Sequence, residues 1–294
     1  MLEMTRRKRV IFQGKTLSVA KRLAVRLLPN AILFWLKERY YTREVPKFWE
    51  ADIDPIKCFV KPGDYVIDIG ANIGWYSLLL ARLVGDSGRV YAIEPIPQTF
   101  RLLAAVVRKL GLRNVELVNC ALSHENGSAA MEIPLHDYGG ANFYMARIVS
   151  DNTSESTLTK LVVPVRSLDS VISARLANAV TFVKCDVEGH ELAVIKGASQ
   201  FLESARPALM IEVSGTAKMQ DDPTNELFTI LTRYGYTTYW FDGKSLRKRQ
   251  PGDWCVNYFF LQPSHLSQVA HLLSSENVRP NGIRSSYVGE STKF

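Results

Sequence analysis

Short apolar runs alternate with amphipathic stretches over most of the chain. Runs of about five mainly apolar residues are typical of strands buried on both faces, and apolar positions at helical spacing follow most of them. Strands that alternate with helices predict a parallel sheet with helices on both faces, and the last two strands lack an intervening helix, which predicts an antiparallel edge. The pattern therefore predicts a doubly wound α/β fold with a mostly parallel seven-stranded sheet. The strands are predicted at 65–69, 89–94, 115–120, 180–185, 208–213, 237–241 and 256–262.

Two regions depart from this alternation. Between 123 and 178, short apolar runs at 128–134 and 162–165 flank a polar stretch at 150–159. This predicts an insertion over the strand ends that forms part of an acceptor wall, since such loops carry specificity. Near the N-terminus, apolar residues recur at helical spacing, which predicts a helical extension. Its basic amphipathic helix is predicted at 15–28 and a second helix at 31–41. The predicted organisation is a basic helical arm at 1–50, an α/β domain at 51–265 and a polar tail at 266–294.

The positive charge of the chain is concentrated in the arm. The chain has a net charge of +7, but residues 1–48 contain twelve Lys or Arg and three Asp or Glu, so this segment alone carries +9. Nucleic-acid binding by the nearly neutral α/β domain is therefore not indicated. The arm instead suits an anionic membrane surface or an acidic partner, unless its apolar stripe packs on the domain and its cations only face water.

Location is predicted from apolar runs and cysteines. No apolar run reaches the ~18 to 20 residues that span a bilayer. The four cysteines are scattered and follow no metal-ligand spacing, which is typical of unpaired thiols in a reducing compartment. We therefore expect a cytoplasmic protein.

The first predicted strand ends in a glycine-containing turn. Gly70 allows the chain to turn sharply, and Gly74 allows a close backbone approach to a ligand at the start of the next helix. A dinucleotide-binding turn would have glycine where this chain has Asn72, and the carboxylate of Asp68 would repel a pyrophosphate. A nicotinamide dehydrogenase is therefore disfavoured. The same carboxylate suits a ligand with a cationic end, such as S-adenosylmethionine.

Further candidate residues follow the other predicted strands. Glu94 lies 24 residues after Gly70, at a strand tip where an acid can accept hydrogen bonds from both ribose hydroxyls. Ala121 belongs to a small, apolar segment that could flank an adenine ring. Asp186 ends an apolar strand, and Glu188 and His190 follow it. In a sheet of this kind ligands bind beyond the carboxyl ends of the strands, so these residues are expected to share one crevice.

Four segments closely resemble the FkbM family of methyltransferases. They are VIDIGANIGWYS (66–77), YAIEP (91–95), VELVNCALS (115–123) and FVKCDVEGHELAVIKGA (182–198), and the resemblance extends over roughly 55–262. It implies a Rossmann-like class I methyltransferase fold, S-adenosylmethionine as cofactor, and O-methylation of a hydroxyl on a sugar, glycan or natural product. The residues expected to bind the cofactor are Asp68, Gly70, Asn72, Gly74, Glu94, Ala121 and Asp186.

The catalytic group is left open by the sequence. A sugar or natural-product hydroxyl has a high pKa, so methyl transfer to it needs a base or a metal ion. Asp186 or Glu188 could act as the base, or the two could hold a divalent cation that acidifies the hydroxyl. His190 is a third candidate, because an imidazole titrates near pH ~6.5.

Two other functions compete with methylation of a small-molecule or glycan acceptor. The first is a methyltransferase that acts on nucleic acid or protein through the basic arm. The chain lacks the Asn/Asp-Pro-Pro-aromatic loop of enzymes that methylate base amino groups, which argues against nucleic acid. The second is a catalytically silent binding protein on the same scaffold, which is disfavoured because every expected cofactor position is filled. The sequence does not indicate an oligomeric state.

Overall fold

A computed structural model describes residues 27–134, 147–148, 159–213, 223–250, 252–253 and 255–274. The strands are β1 (Tyr65–Ile69), β2 (Arg89–Ile93), β3 (Val115–Val118), β4 (Ala121–Leu122), β5 (Gly127–Ile133), β6 (Arg147–Ile148), β7 (Thr159–Arg166), β8 (Val180–Cys185), β9 (Ala208–Glu212), β10 (Thr237–Phe241), β11 (Leu246–Lys248) and β12 (Asn257–Leu261). The helices are α1 (Asn30–Glu44), α2 (Ile53–Phe59), α3 (Trp75–Val84), α4 (Pro97–Lys109), α5 (Leu168–Val171), α6 (Ala174–Ala177), α7 (Glu191–Lys196), α8 (Ser199–Ala205), α9 (Pro223–Arg233) and α10 (Pro263–Leu266). Two 3-10 turns lie at Val45–Lys47 and Ala270–Leu272.

The main sheet has the strand order β11-β10-β12-β9-β8-β1-β2-β3. The five strands from β9 to β3 are parallel, whereas β12, β10 and β11 run antiparallel to their neighbours. The predicted doubly wound α/β class is therefore confirmed. The sheet has eight strands rather than the predicted seven, because β11 lies between the predicted strands at 237–241 and 256–262, where the sequence predicts no strand. Asp242 accepts hydrogen bonds from the amides of Lys244 and Ser245 and so closes a tight hairpin between β10 and β11.

Successive residues of the central strands enter hydrophobic clusters on opposite faces of the sheet. In β1, Val66 packs into one cluster, and Ile67 and Ile69 pack into the other. Because both faces are covered, the strands are apolar along their length, which explains the runs seen in the sequence. The order of connections reverses between β1 and β8, so the crevice opens beyond the carboxyl ends of these two strands.

The predicted insertion contributes a second sheet of four strands in the order β4-β7-β5-β6. Its central pair, β5 and β7, is antiparallel and in register from Gly127 opposite Val165 to Ile133 opposite Thr159. These two strands correspond to the short apolar runs of the sequence. The polar stretch up to residue 158 and residues 138–143, which are predicted as part of the acceptor wall, lie outside the described residues. The second sheet adjoins the crevice through β4, which directly follows β3.

Both ends of the described chain pack on the domain. The predicted second helix is α1, whose Tyr41 and the following Val45 are buried against Ile73 and Leu78 of the β1–α3 region. The predicted first helix lies almost wholly outside the described residues, which begin at 27. At the other end, Val269 is fully buried, so the described part of the predicted tail packs on the domain. Within the described ranges, no helix combines the length and the apolar character needed to cross a membrane.

Candidate active site

The carboxyl ends of β1, β2 and β8 border an open cleft. Six of the predicted site residues line it, and they come from three different strand ends and the loops that follow. They are Gly70, Asn72, Glu94, Asp186, Glu188 and His190. Ala121 of β4 also lines the cleft, beside Cys120 and Leu122. The cleft therefore brings the predicted ribose-side acid and the predicted catalytic residues into one space.

Gly70 allows the two central strand ends to touch. Its φ is +77°, and a Cβ built on it would lie only 1.8 Å from the carbonyl oxygen of Asp186. No side chain can occupy that space, and the left-handed conformation also disfavours any residue with a Cβ. The absence of a side chain at Gly70 thus lets the turn after β1 lie directly against the end of β8.

Two predicted cofactor residues lie outside the cleft lining. Asp68 is fully buried within β1, where its Oδ2 accepts a hydrogen bond of 2.6 Å from the hydroxyl of Ser77. Gly74 precedes α3, and a Cβ there would lie 2.8 Å from the Leu103 side chain. The close approach at Gly74 is therefore to the neighbouring helix α4. Direct contact of either residue with the cofactor stays a prediction.

Glu94 is held rigidly at the end of β2. One carboxylate oxygen accepts the amide of Asn72 and the other accepts the amide of Ile96, each at 3.0 Å. Burial raises the pKa of Glu94 to about 7, although both amide hydrogen bonds oppose the rise. Each oxygen of an ionised carboxylate can accept a second hydrogen bond. Glu94 is therefore preorganised to accept two hydroxyls from a ligand in the cleft.

The cleft residues fit S-adenosylmethionine. Asn72 lines the cleft, and its side-chain Oδ1 is buried without a donor among the described residues, as expected where a ligand supplies one. Glu94 would hold the ribose hydroxyls, and Ala121 lies where an apolar ring can pack. Asn72 and Asp186 would face the cationic end of the cofactor. When bound, this cofactor supplies a methyl group that its sulfonium makes electrophilic.

The raised pKa of Glu94 leads to a testable prediction about cofactor affinity. Because the ionised form accepts hydroxyls, we expect the affinity for S-adenosylhomocysteine to fall as the pH drops below about 7. Replacing the acid, Glu94→Ala, should weaken binding by about 1 to 3 kcal/mol and remove this pH dependence. Calorimetry over a pH series measures both effects. The exposed Glu116 offers a matched control, Glu116→Ala, and equal affinities in the two variants would contradict the assigned role.

A buried lysine fixes the acid at the end of β8. Asp68 and Lys184 are register partners on β1 and β8, and their side chains share one face of the sheet with Val66 and Phe182. The ammonium of Lys184 lies 3.0 Å from Asp186 Oδ2 and 3.9 Å from Asp68 Oδ1. Burial lowers the pKa of Lys184, but the two carboxylates outweigh burial and raise it. Lys184 is therefore charged and holds Asp186 in place.

Several polar residues beside Lys184 and Asp186 were not predicted from the sequence as site residues. Glu212 ends β9, and burial and the charge of Asp186 raise its pKa. The hydroxyl of Tyr76 donates to Glu50 at 2.5 Å, and the Lys184 ammonium lies 5.1 Å from the Tyr76 ring centroid. A strand-end position, the signal that selected Asp186, could also have selected Glu212. No signal of that kind marks Glu50, which precedes the domain core.

The loop after β8 is shaped by a buried acid. Glu191 accepts hydrogen bonds from the amides of Val187 at 3.2 Å and Gly189 at 3.0 Å through one oxygen. Glu188 lies within this loop and has a left-handed φ of +55°. Glu191 was not among the predicted site residues, yet it fixes the backbone that presents Glu188 and His190 to the cleft.

His190 belongs to a short hydrogen-bonded chain. Its Nε2 lies 3.0 Å from the hydroxyl of Ser123, which lies 3.2 Å from Nδ1 of His124. Burial, and secondly the neighbouring His124, lower the pKa of His190, so the imidazole is neutral near pH 7. Within the ranges described, no three His, Cys, Asp or Glu side chains are grouped so that they could hold a metal ion.

Comparison with known sequences identifies the family. The profile of the methyltransferase FkbM domain matches residues 68–238. The 31-O-demethyl-FK506 methyltransferase FkbM of Streptomyces tacrolimicus is 29% identical over 60% of this chain and 74% of the relative. A protein-L-isoaspartate O-methyltransferase of Aeropyrum pernix is 46% identical over 55 residues, or 19% of this chain. The chain matches only 21% of the length of that relative and 27% of the corresponding protein of Archaeoglobus fulgidus.

Two solved methyltransferase structures are similar to part of the chain. A methyltransferase FkbM from Methylobacillus flagellatus is 21% identical, with a TM-score of 0.43 over 67% of this chain and 43% of the other. An Aquifex aeolicus SAM-dependent methyltransferase is 19% identical, with a TM-score of 0.41 over 74% of this chain and 97% of the other.

The profile of the methyltransferase FkbM domain covers more than half of the chain. It confirms the predicted resemblance, and with it the class I fold and S-adenosylmethionine as cofactor. The chain therefore belongs to the FkbM methyltransferase domain family.

Proposed function

We propose that this protein transfers the methyl group of S-adenosylmethionine to a hydroxyl of a sugar, glycan or natural product. The observation that carries the proposal is the position of Asp186. Asp186 lines the same cleft as Glu94, and its backbone carbonyl lies against the turn at Gly70. A proton acceptor thus lies beside the residues that fit the cofactor, which is the arrangement that transfer to a hydroxyl requires.

Each residue of the cleft has a distinct part in this proposal. Asp186 takes the proton from the acceptor hydroxyl, while Lys184 keeps its carboxylate in position at 3.0 Å. Glu212, whose carboxyl is buried near Asp186, can share that proton. Glu188 and His190 line the acceptor side and orient the hydroxyl. The proposal uses a carboxylate base, and a divalent cation held by Asp186 and Glu188 is the alternative that chelation tests.

The charge of this region bears on the alternative acceptors. Asp186 and Glu188 both line the cleft and bring two carboxylates to it, and Lys184 is already paired with Asp186. Such a surface repels phosphates, which disfavours a nucleic-acid acceptor. A hydroxyl-rich small molecule or glycan is compatible with the carboxylates, because they accept hydrogen bonds from hydroxyls.

The acceptor class can be tested directly. The purified protein is incubated with cell extract and S-adenosylmethionine that carries a deuterated methyl group, and the labelled products are analysed by mass spectrometry. We expect label in small molecules or glycans. Acid hydrolysis of a labelled glycan should yield a sugar that carries the labelled methyl ether. Label confined to nucleic acid or protein would contradict the proposal. Loss of labelling with a chelator, restored by magnesium, would replace the direct base with a metal-assisted step.

Replacement of His190 is expected to have only a small effect on turnover. Because its Nε2 is engaged by Ser123 and burial lowers the pKa of His190, which makes the imidazole a weaker base, we expect His190→Ala to lower kcat less than about tenfold and to leave the cofactor affinity unchanged. Steady-state kinetics with the acceptor found by the labelling experiment measures the difference, with Asp186→Asn for comparison. Equal losses in the two variants would identify the histidine as the base.

A further inference from the structure

Helix α1 is anchored by one face and leaves the opposite face exposed. On the anchored face Tyr41 is buried against the domain, and Glu38 lies 3.8 Å from Lys109 of helix α4. Residues on the other face recur every three or four positions and so form one stripe along the helix. This exposed stripe consists of Ile32, Trp35, Leu36, Arg39 and Arg43.

The exposed stripe and Leu27, which precedes helix α1, are unusually apolar for a surface. Among the described residues, six large apolar side chains are exposed, and four of them lie within 27–36. The exposed fractions are 71% for Leu27, 44% for Ile32, 55% for Trp35 and 43% for Leu36. Scattered exposed apolar residues are ordinary, whereas a local concentration marks a contact surface.

The charges on the stripe indicate what it contacts. Its charged members are both arginines, and the guanidinium of Arg39 lies 5.7 Å from the Trp35 ring centroid. The surrounding segment, residues 1–48, carries a net charge of +9. A helix face that combines tryptophan and leucine with arginine suits the boundary between lipid headgroups and acyl chains, and the cations favour anionic lipids.

We propose that the exposed stripe of α1 docks the protein on an anionic membrane surface. The apolar side chains enter the headgroup boundary while the arginines contact lipid phosphates. The anchored face meanwhile stays packed on the domain. This proposal is independent of the acceptor, because it concerns a surface whose residues do not line the cleft. Removal of residues 1–48 would be a poor test, since it would also remove Tyr41 and Val45 from the packed face.

Vesicle binding by the full chain tests this surface. The protein is floated with vesicles of phosphatidylglycerol mixed with phosphatidylcholine, and separately with vesicles of phosphatidylcholine alone. We expect binding only to the anionic vesicles, and we expect it to weaken as salt is added. Two double variants, Trp35→Ser with Leu36→Ser and Arg39→Glu with Arg43→Glu, should each reduce binding roughly tenfold.

Matched controls separate the stripe from general surface properties. Val162→Ser removes a 69% exposed apolar residue elsewhere, and Arg175→Glu with Lys244→Glu reverses two exposed charges outside α1. These controls should bind vesicles like the unchanged protein, and all variants should give the same thermal unfolding midpoint. Equal binding to neutral vesicles, or undiminished binding by both α1 variants, would overturn the proposal. A dimer that the Trp35→Ser, Leu36→Ser change converts to a monomer in sedimentation would instead identify a contact between copies.

Discussion

Replacement of Gly70 by alanine, Gly70→Ala, is expected to destabilise the protein by roughly 3 to 5 kcal/mol and to abolish cofactor binding. The added Cβ would lie 1.8 Å from the Asp186 carbonyl oxygen, and the residue would also keep an unfavourable φ of +77°. Backbone cannot move away as the end of a long side chain could, so the ends of β1 and β8 must separate. Urea unfolding and calorimetry with S-adenosylhomocysteine measure the two effects.

A second glycine isolates the effect of the close contact. Gly111 has a similar φ of +68°, but a Cβ there would meet nothing within 4 Å. The control Gly111→Ala should therefore cost only the left-handed conformation, about 1 to 2 kcal/mol, and should leave cofactor affinity unchanged. If Gly70→Ala proved as mild as this control, the two strand ends could not lie as close as the structure places them.

The change Asp186→Asn is expected to have the largest effect on turnover, a loss of about 10² to 10⁴-fold in kcat. The variant keeps nearly the same size but cannot accept the proton of the acceptor. The Lys184 ammonium would then keep only Asp68 as a close carboxylate, at 3.9 Å. Cofactor affinity should fall much less than kcat, because Asp186 faces only the cationic end of the cofactor while Glu94 and Asn72 are unchanged. Single-turnover measurements with saturating cofactor separate the transfer step from binding.

Neighbouring carboxylates provide the controls for Asp186. Glu188→Gln should lower kcat/KM more than kcat if Glu188 orients the acceptor. Glu212→Gln should shift the pH profile of kcat, because its buried carboxyl has a raised pKa near Asp186. Full activity of Asp186→Asn, with a large loss in Glu212→Gln, would move the base from β8 to β9.

The parts of the site that depend on local order could be predicted from sequence. Gly70, Glu94 and Asp186 each follow an apolar run, and parallel strands bring their carboxyl ends to one edge of the sheet. The edge hairpin was missed because β11 is only three residues long. Such a run is too short to show a period.

Contacts between distant segments could not be predicted. Asn257 donates to Asp52 at 2.8 Å across 205 positions, and Tyr76 of α3 donates to Glu50 in the segment before α2. Burial raises the pKa of Asp52 to about 6, and the packing of the segment before α2 produces that burial. Lys184 shows a related limit, because the sequence reveals a lysine in an apolar strand but not its two carboxylate partners.

Calorimetric titration of the full chain with S-adenosylmethionine tests the central claim most directly. We expect binding of micromolar order for this ligand and for S-adenosylhomocysteine, both weakened by Glu94→Ala. We expect no heat with NAD or NADP, because Asn72 replaces the second glycine of a dinucleotide turn and the buried carboxylate of Asp68 lies just before that turn. If neither S-adenosylmethionine nor S-adenosylhomocysteine gave heat, or if a nicotinamide dinucleotide bound instead, the assignment of this cleft as a methyl-donor site would be contradicted.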